Sequence, residues 1–253
     1  MSRQAVPAGP TRPVADAFAE LAPNYEQTVD QELRQFWGVS YRDFIELLLG
    51  RLDMDHAQAV LDVATGQGAI PLALAGRARW AGRVVGLDIT AEMLRGAQLR
   101  LAEPGQRARV TLTCGSGMQL PFAANSFDAA ICALATHHMR LDVLLAEMHR
   151  VLRPGGQLLV ADVALATLWC SAGGRLLLHV LAWWYTRQEN GARGAAEIDA
   201  LPNMRTPEQW RQEVAAAGFG IIEASALPAR RMWYPPGMLV AARANQSTGV
   251  ARI

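Results

Sequence analysis

The sequence predicts an α/β fold: a doubly wound, mostly parallel sheet of seven strands, with an N-terminal helical cap and a helical lid insertion. Three observations carry this. Strand and helix signals alternate through the middle of the chain, the pattern of a parallel sheet with right-handed crossovers. The run Val60-Leu61-Asp62-Val63 reads as a strand buried on both faces, and it ends in the turn Ala64-Thr65-Gly66-Gln67-Gly68, whose glycines let the backbone approach a ligand. The next strand, Val84 to Leu87, closes on Asp88, about twenty residues after Gly68, the spacing at which an acid in such a sheet accepts hydrogen bonds from ribose hydroxyls. Together these residues predict a pocket for an adenosine-like cofactor.

The elements follow in order. Residues 1–13 hold prolines, a glycine and no apolar periodicity, the composition of a disordered arm. Residues 14–244 are expected to form a single domain. From Phe18, Leu21 and Tyr25 through Val29, Leu33, Phe36 and Trp37 to Phe44 and Leu48, apolar residues recur mostly every three or four positions, predicting two or three amphipathic cap helices over 14–55. The core, 56–163, then reads as strand Ala59–Val63, helix Ala69–Arg79, strand Arg83–Leu87, helix Ala91–Glu103, strand Val110–Cys114, strand Phe127–Ala133, helix Leu141–Leu152 and strand Gln157–Val163. Thr90 is a candidate N-cap, and Arg153-Pro154-Gly155-Gly156 forces a turn. The stretch 164–205 is too long for an ordinary connection and rich in tryptophan, so it predicts a helical lid. Residues 206–244 begin with Thr206-Pro207-Glu208, a capped helix start, and continue into two strands; 245–253 is a polar tail.

Bulk composition narrows the function. With 24 basic against 23 acidic residues and 51% hydrophobic residues, the chain builds a large core and carries no net field to recruit nucleic acid. Small-molecule partners are expected. All the basic residues are arginine, which excludes lysine Schiff-base chemistry. Cys114, Cys132 and Cys170 are widely spaced and form no C-x-x-C pair, so neither a disulfide framework nor a zinc site is expected, and a reducing cytoplasm is the natural compartment. No apolar run approaches the ~18 residues of a membrane span; the nearest candidate, Leu176 to Trp184, is short and contains His179. A homodimer is left open.

His137 and His138 fall just after the fourth strand, at the carboxyl edge of the sheet where ligands bind, and are candidate general bases. His149 and His179 read as helix residues, and His56 as uninvolved. Trp169, Trp183, Trp184 and Tyr185, with Phe36, Trp37 and Tyr41 from the cap, predict an apolar acceptor pocket, whose alternative is plain core packing. Arg187, Arg193, Arg230 and Arg231 are candidates for an acidic substrate group or for solvated surface. No cluster of His, Cys and carboxylate shows metal-ligand spacing, so no metal is expected. A dinucleotide site needs a third glycine three residues after Gly68, where Pro71 stands.

Four segments, LDVATGQG (Leu61–Gly68), VVGLDIT-x-x-ML (Val84–Leu94), LPF-x-x-N-SFD (Leu120–Asp128) and E-x-x-RVLRPGG (Glu147–Gly156), in this order resemble the class I S-adenosylmethionine-dependent methyltransferases, within them the ubiquinone/menaquinone C-methyltransferase-like group. The resemblance implies a Rossmann-like sheet and S-adenosylmethionine as cofactor. It places Asp62, Ala64, Thr65, Gly66 and Gly68 at the methionine end, with Asp62 near the amino group. Asp88 is placed on the ribose diol, Ile89 and Met93 beside the adenine, and Gly115, Ser116, Gly117 and Met118 at the adenine edge. Ala64 replaces a common glycine, Gln67 a threonine and Ser116 an aspartate of the relatives. The implied activity is methyl transfer to a small apolar or aromatic acceptor in secondary metabolism. The alternatives are a quinone-type C-methyltransferase and a cofactor-binding scaffold or cyclase that does not methylate.

Overall fold

The structure, a computed structural model, describes residues 12–101, 103–186 and 191–245. The proposed arm over 1–11, the tail from 246, Arg187, and the side chains of Trp184 and Tyr185 lie outside what it describes.

Three cap helices, α1 (Arg12–Leu21), α2 (Tyr25–Phe36) and α3 (Tyr41–Leu49), precede the sheet. α1 starts two residues before the expected onset of order, with Pro13 in its first turn, where a missing N–H is harmless. The core runs β1 (Ala59–Val63), α4 (Ala69–Ala75), β2 (Arg83–Asp88), α5 (Ala91–Arg100), α6 (Pro104–Arg107), β3 (Val110–Cys114), β4 (Phe127–Ala133), α7 (Leu141–Val151) and β5 (Leu152–Val163). The lid holds α8 (Ala172–Thr186) and α9 (Gly191–Ala200); α10 (Pro207–Ala216), β6 (Phe219–Leu227) and β7 (Gly237–Ala244) complete the chain.

The seven strands lie in the order β3-β2-β1-β4-β5-β7-β6, parallel except for β7, which runs antiparallel to β5 and β6. Alternation along each strand feeds two cores. Leu61, Val63, Leu158 and Val160 pack with Leu144, Met148, Trp210 and Val214 of α7 and α10 on one face. Val60, Ile131, Leu159 and Ala161 pack with Phe44, Leu48, Leu49 and Leu74 of α3 and α4 on the other. A strand buried on both sides has no polar face, which is why the core strands read as near-continuous apolar runs.

Some boundaries differ from the sequence expectation. α4 stops at Ala75 because Gly76 caps it, and the second core helix breaks at Leu101 before Pro104 opens α6. β5 begins at Leu152, so Arg153 to Gly156 enters the sheet as an irregular strand start rather than standing outside it as a turn. Thr90 occupies the N-cap position of α5 without a side-chain cap bond, whereas Thr206 forms a full capping box with Gln209. The chain winds outward from β1 through β2 to β3, then returns to β4 on the other side. That reversal opens a crevice above the carboxyl ends of β1 and β4, the switch point at which doubly wound sheets bind ligands. α9 of the lid lies against α1 of the cap across this crevice.

Candidate functional site

The turn after β1 is built on left-handed backbone: Ala64 at φ 57°, Gly66 at 53° and Gly68 at 75°. Glycine enters this region freely, whereas Ala64 carries the strain of a Cβ there. The turn is tied to the neighbouring strand end. Asp88 Oδ2 accepts from Gly66 N at 2.8 Å, and Oδ1 accepts from Thr90 N at 2.8 Å. Beneath it, Asp62 accepts from Thr65 Oγ1 at 2.5 Å. Burial drives the Asp62 carboxyl up to about 7, opposed by the Thr65 hydrogen bond and helped by the Asp88 charge. Burial also raises Asp88, against the backbone N–H groups that hold its anion. Two buried carboxylates at one strand-end turn, with no ion pair to a cation among the described residues, suit a ligand that brings its own donors and positive charge.

A cavity of about 60 Å³ opens over this turn, lined by Ala64, Gly66, Asp88, Ile89 and Met93 from the core and by Phe18 and Tyr25 from the cap. Asp62, Thr65 and Gly68 do not line it. Gly115, Ser116, Gly117 and Met118 do not line it, although Gly115 N donates to Asp88 O at 2.9 Å. Ser116 Oγ accepts from Met118 N at 3.2 Å. The space is small because Tyr25 sits where a Cβ on Gly66 would meet its ring at 3.3 Å. The buried carboxylate acceptors of Asp62 and Asp88 fit the hydroxyl and amino donors of an adenosyl cofactor.

A second, larger cavity of about 220 Å³ adjoins the first, and Phe18, Tyr25, Leu134 and His138 wall both. Its other walls are mostly apolar: Phe36 and Trp37 from the cap, Trp169, Leu165 and Leu178 from the lid, and Trp233 from the loop before β7. Tyr41 does not line it, and Trp183 is half-exposed on α8. Leu134, at φ 56°, is a further strained residue, positioned at the junction.

One wall is charged. His137 Nδ1 lies 2.7 Å from Asp162 Oδ1, and Asp162 also accepts from the His137 backbone N–H at 3.0 Å and from the Thr136 hydroxyl. His137 Nε2 and His138 Nε2 each stand 3.7 Å from a different oxygen of Glu197 on α9. Arg193, one turn before Glu197, pairs with Glu32 of α2 at 2.6 Å. Burial opposes charge on His137, but Asp162 and Glu197 outweigh it and lift the imidazole to about 10. His138 moves down, through burial and the charge of His137 beside it. Burial also works against the Glu197 carboxylate, yet the two imidazoles hold its pKa well below the ordinary range. Nε2 of His138 is buried without a hydrogen-bond partner.

The two histidines expected from sequence thus do meet the cavities, while the other histidines do not line them. His149 packs edge-on against Phe219, and His56 pairs with Asp53 at 2.9 Å. Of the arginine candidates, Arg193 lines the larger cavity; Arg230 donates to Arg34 O and Arg231 lies over Trp233. Sequence reasoning missed Glu32 and Glu197, which sit inside amphipathic helices like any surface acid. Asp162 carried a readable signal, an acid closing β5 beside the end of β4.

Comparison with known proteins places this geometry. Residues 61–160 match the family described as "Methyltransferase domain". The chain is 29% identical over 160 residues to the ubiquinone/menaquinone biosynthesis C-methyltransferase UbiE of Geobacter sp., an alignment covering 60% of this chain and 63% of that protein. It is 36% identical over 168 residues to the UbiE of Syntrophotalea carbinolica, covering 66% and 67%. The alignments with the first of these curated relatives thus span about three fifths of their length. Among solved structures, the [4+2]-cyclase SpnF superposes with a TM-score of 0.71 at 20% identity, over 96% of this chain and 100% of that one, which speaks for the fold alone. Among the described residues, no helix is long and apolar enough to cross a membrane. With the family match spanning the glycine turn, Asp88 and the RPGG segment, the chain belongs to the class I S-adenosylmethionine-dependent methyltransferases of the ubiquinone/menaquinone C-methyltransferase group.

Proposed function

We propose that this protein transfers the methyl group of S-adenosylmethionine to a small, largely apolar or aromatic acceptor in secondary metabolism, in the cytoplasm. The observation that supports the reading is the shared wall: Phe18, Tyr25, Leu134 and His138 line both the cavity over the glycine turn and Asp88 and the larger, mostly apolar one, so ligands in the two would meet there. When bound, the cofactor supplies an activated methyl on a sulfonium. Asp88 accepts from the ribose hydroxyls, Asp62 faces the amino group, and Ile89 and Met93 flank the adenine. Gly115 to Met118, which follow β3 beside Asp88, would stand at the adenine edge. The chain's own contribution is alignment and dryness. Holding two reactants in attack geometry removes about 7 to 11 kcal/mol of barrier, and α9 closing on α1 excludes water. Where methylation releases a proton, His137 and His138 are the candidates in reach; His138 is the better placed, because Asp162 and Glu197 lift His137 to about 10 and keep it protonated, whereas burial and the His137 charge move His138 down.

The named activity of the relatives supports a second reading, a quinone-type C-methyltransferase. A scaffold or cyclase that binds the cofactor without methylating is the third. Incubation with S-adenosylmethionine and a panel of phenols, quinols and amines, followed by mass spectrometry, separates them. S-adenosylhomocysteine that forms only with an acceptor supports the enzyme, and a methylated demethylquinol selects the second reading. Tight cofactor binding without transfer to any acceptor selects the scaffold.

A further inference from the structure

The charged wall of the larger cavity has a gap in it. His137 and His138 come from the 3₁₀ turn after β4, and Glu197 comes from α9 some sixty positions later in the chain. Each Nε2 faces a different oxygen of the one carboxylate at 3.7 Å, beyond hydrogen-bond range. The three donor atoms lie within 4.8 Å of one another. A buried imidazole nitrogen left unmatched costs about 1–3 kcal/mol, so something between these atoms would be stabilising.

We propose that His137, His138 and Glu197 bind a divalent transition-metal cation on the wall of the larger cavity. Two imidazoles and one carboxylate are donors that such ions accept at about 2.0–2.2 Å, which needs the three to draw together by on the order of 1 Å. Three features of the surroundings support it. Asp162 grips Nδ1 of His137 at 2.7 Å, fixing the ring with Nε2 outward, the outer-shell carboxylate that metal-bound histidines commonly have. His138 Nε2 is buried, unpartnered and aimed into the cluster. Among the described residues, Asp162, Glu197 and Glu32 outnumber the guanidinium of Arg193 around the imidazoles, an excess of carboxylate that favours a cation. Arg193 pairs more closely with Glu32, at 2.6 Å, than with Glu197, whose Oε1 lies 3.8 Å from its Nε.

The ion would stand between the two imidazoles and the Glu197 carboxylate. Its open positions face the cavity, where a molecule with two adjacent oxygens would complete the shell. That last point alone rests on the methyl-transfer reading.

The test uses the untagged full chain, stripped with chelator and titrated with Co²⁺, read by its visible ligand-field bands and by calorimetry. Wild type should give bands at one equivalent. Glu197→Gln and His138→Gln should each weaken binding about 100-fold or more, and Asp162→Asn by about 10 to 100-fold, the range for outer-shell losses. His56→Gln, at an exposed histidine, should bind as wild type does. Circular dichroism and S-adenosylmethionine affinity report whether each variant is folded. Catechol, as a chelating probe, should shift the bands. Absence of bands and heat in the wild type, or Co²⁺ affinity unchanged in both folded ligand variants, overturns the site; bands that catechol leaves unmoved overturn only the open positions. None of these readouts depends on methyl transfer, so failure of the metal site and failure of the proposed activity are told apart.

Discussion

Replacing Asp62 by Asn tests the electrostatics at the glycine turn. The carboxyl is 1% exposed and its pKa is lifted from 3.8 to about 7, chiefly by burial. A raised folded-state pKa means that the native protein holds a proton the unfolded chain has released between those two values. Stability contributed by the group is therefore complete below about pH 4 and is lost as pH rises through about 7. A shift of roughly 3 units corresponds to about 4 kcal/mol at most. Asn carries no such titration. The unmatched amide subtracts a constant, so the informative quantity is the difference in unfolding free energy between Asp62→Asn and wild type. It should move by up to about 4 kcal/mol in favour of the variant from pH 4 to pH 8. Asp88, Tyr25, Tyr41 and Cys132 are coupled to Asp62; the two tyrosines and Cys132 are pushed up and stay protonated over this range, and the Asp88 charge is already part of the Asp62 shift. Urea denaturation across that range, without cofactor, measures the difference. With S-adenosylmethionine the order should reverse at pH 8, because the proposed amino-group contact stabilises the Asp62 anion. A pH-independent difference would refute the burial argument, and unchanged cofactor affinity in the variant would refute the amino-group assignment.

Further outcomes follow from other residues. Asp88→Ala should weaken S-adenosylmethionine binding at least tenfold by calorimetry, through loss of both the ribose contact and the brace on Gly66; unchanged affinity sinks the assignment. Tyr25→Ala should speed cofactor association in stopped-flow, since its ring blocks the turn at Gly66, and an unaltered rate would mean that the cap does not limit entry. Ala64→Gly should raise unfolding free energy by about 0.5–1 kcal/mol, relief of left-handed strain exceeding the added flexibility of the unfolded chain. In native protein a thiol reagent should modify exposed Cys114 first and leave Cys132 untouched until unfolding, as burial pushes that thiol far up; mass mapping of the labelled peptides decides.

The sheet and the cofactor turn were legible because their signals are local. Continuous apolar strands report burial on both faces, and the glycine turn and Asp88 announce themselves by backbone demands and spacing that survive without neighbours in space. The order β3-β2-β1-β4-β5-β7-β6 follows from the same rhythm except at β7, whose antiparallel insertion depends on how two C-terminal strands pair with β5. His137 and His138 could be placed at the carboxyl edge but not assigned partners. Their surroundings were decided by tertiary structure: Glu32 on α2, Arg193 and Glu197 on α9 and Asp162 on β5 are far apart in sequence, and no periodicity distinguishes them from solvated helix acids and bases. Only folding the cap and lid over one crevice brings these charges together, and their mutual pairing, absent from any local pattern and strong enough to outweigh the burial that opposes it, gives His137 and Glu197 their pKa shifts and the cluster its donor geometry.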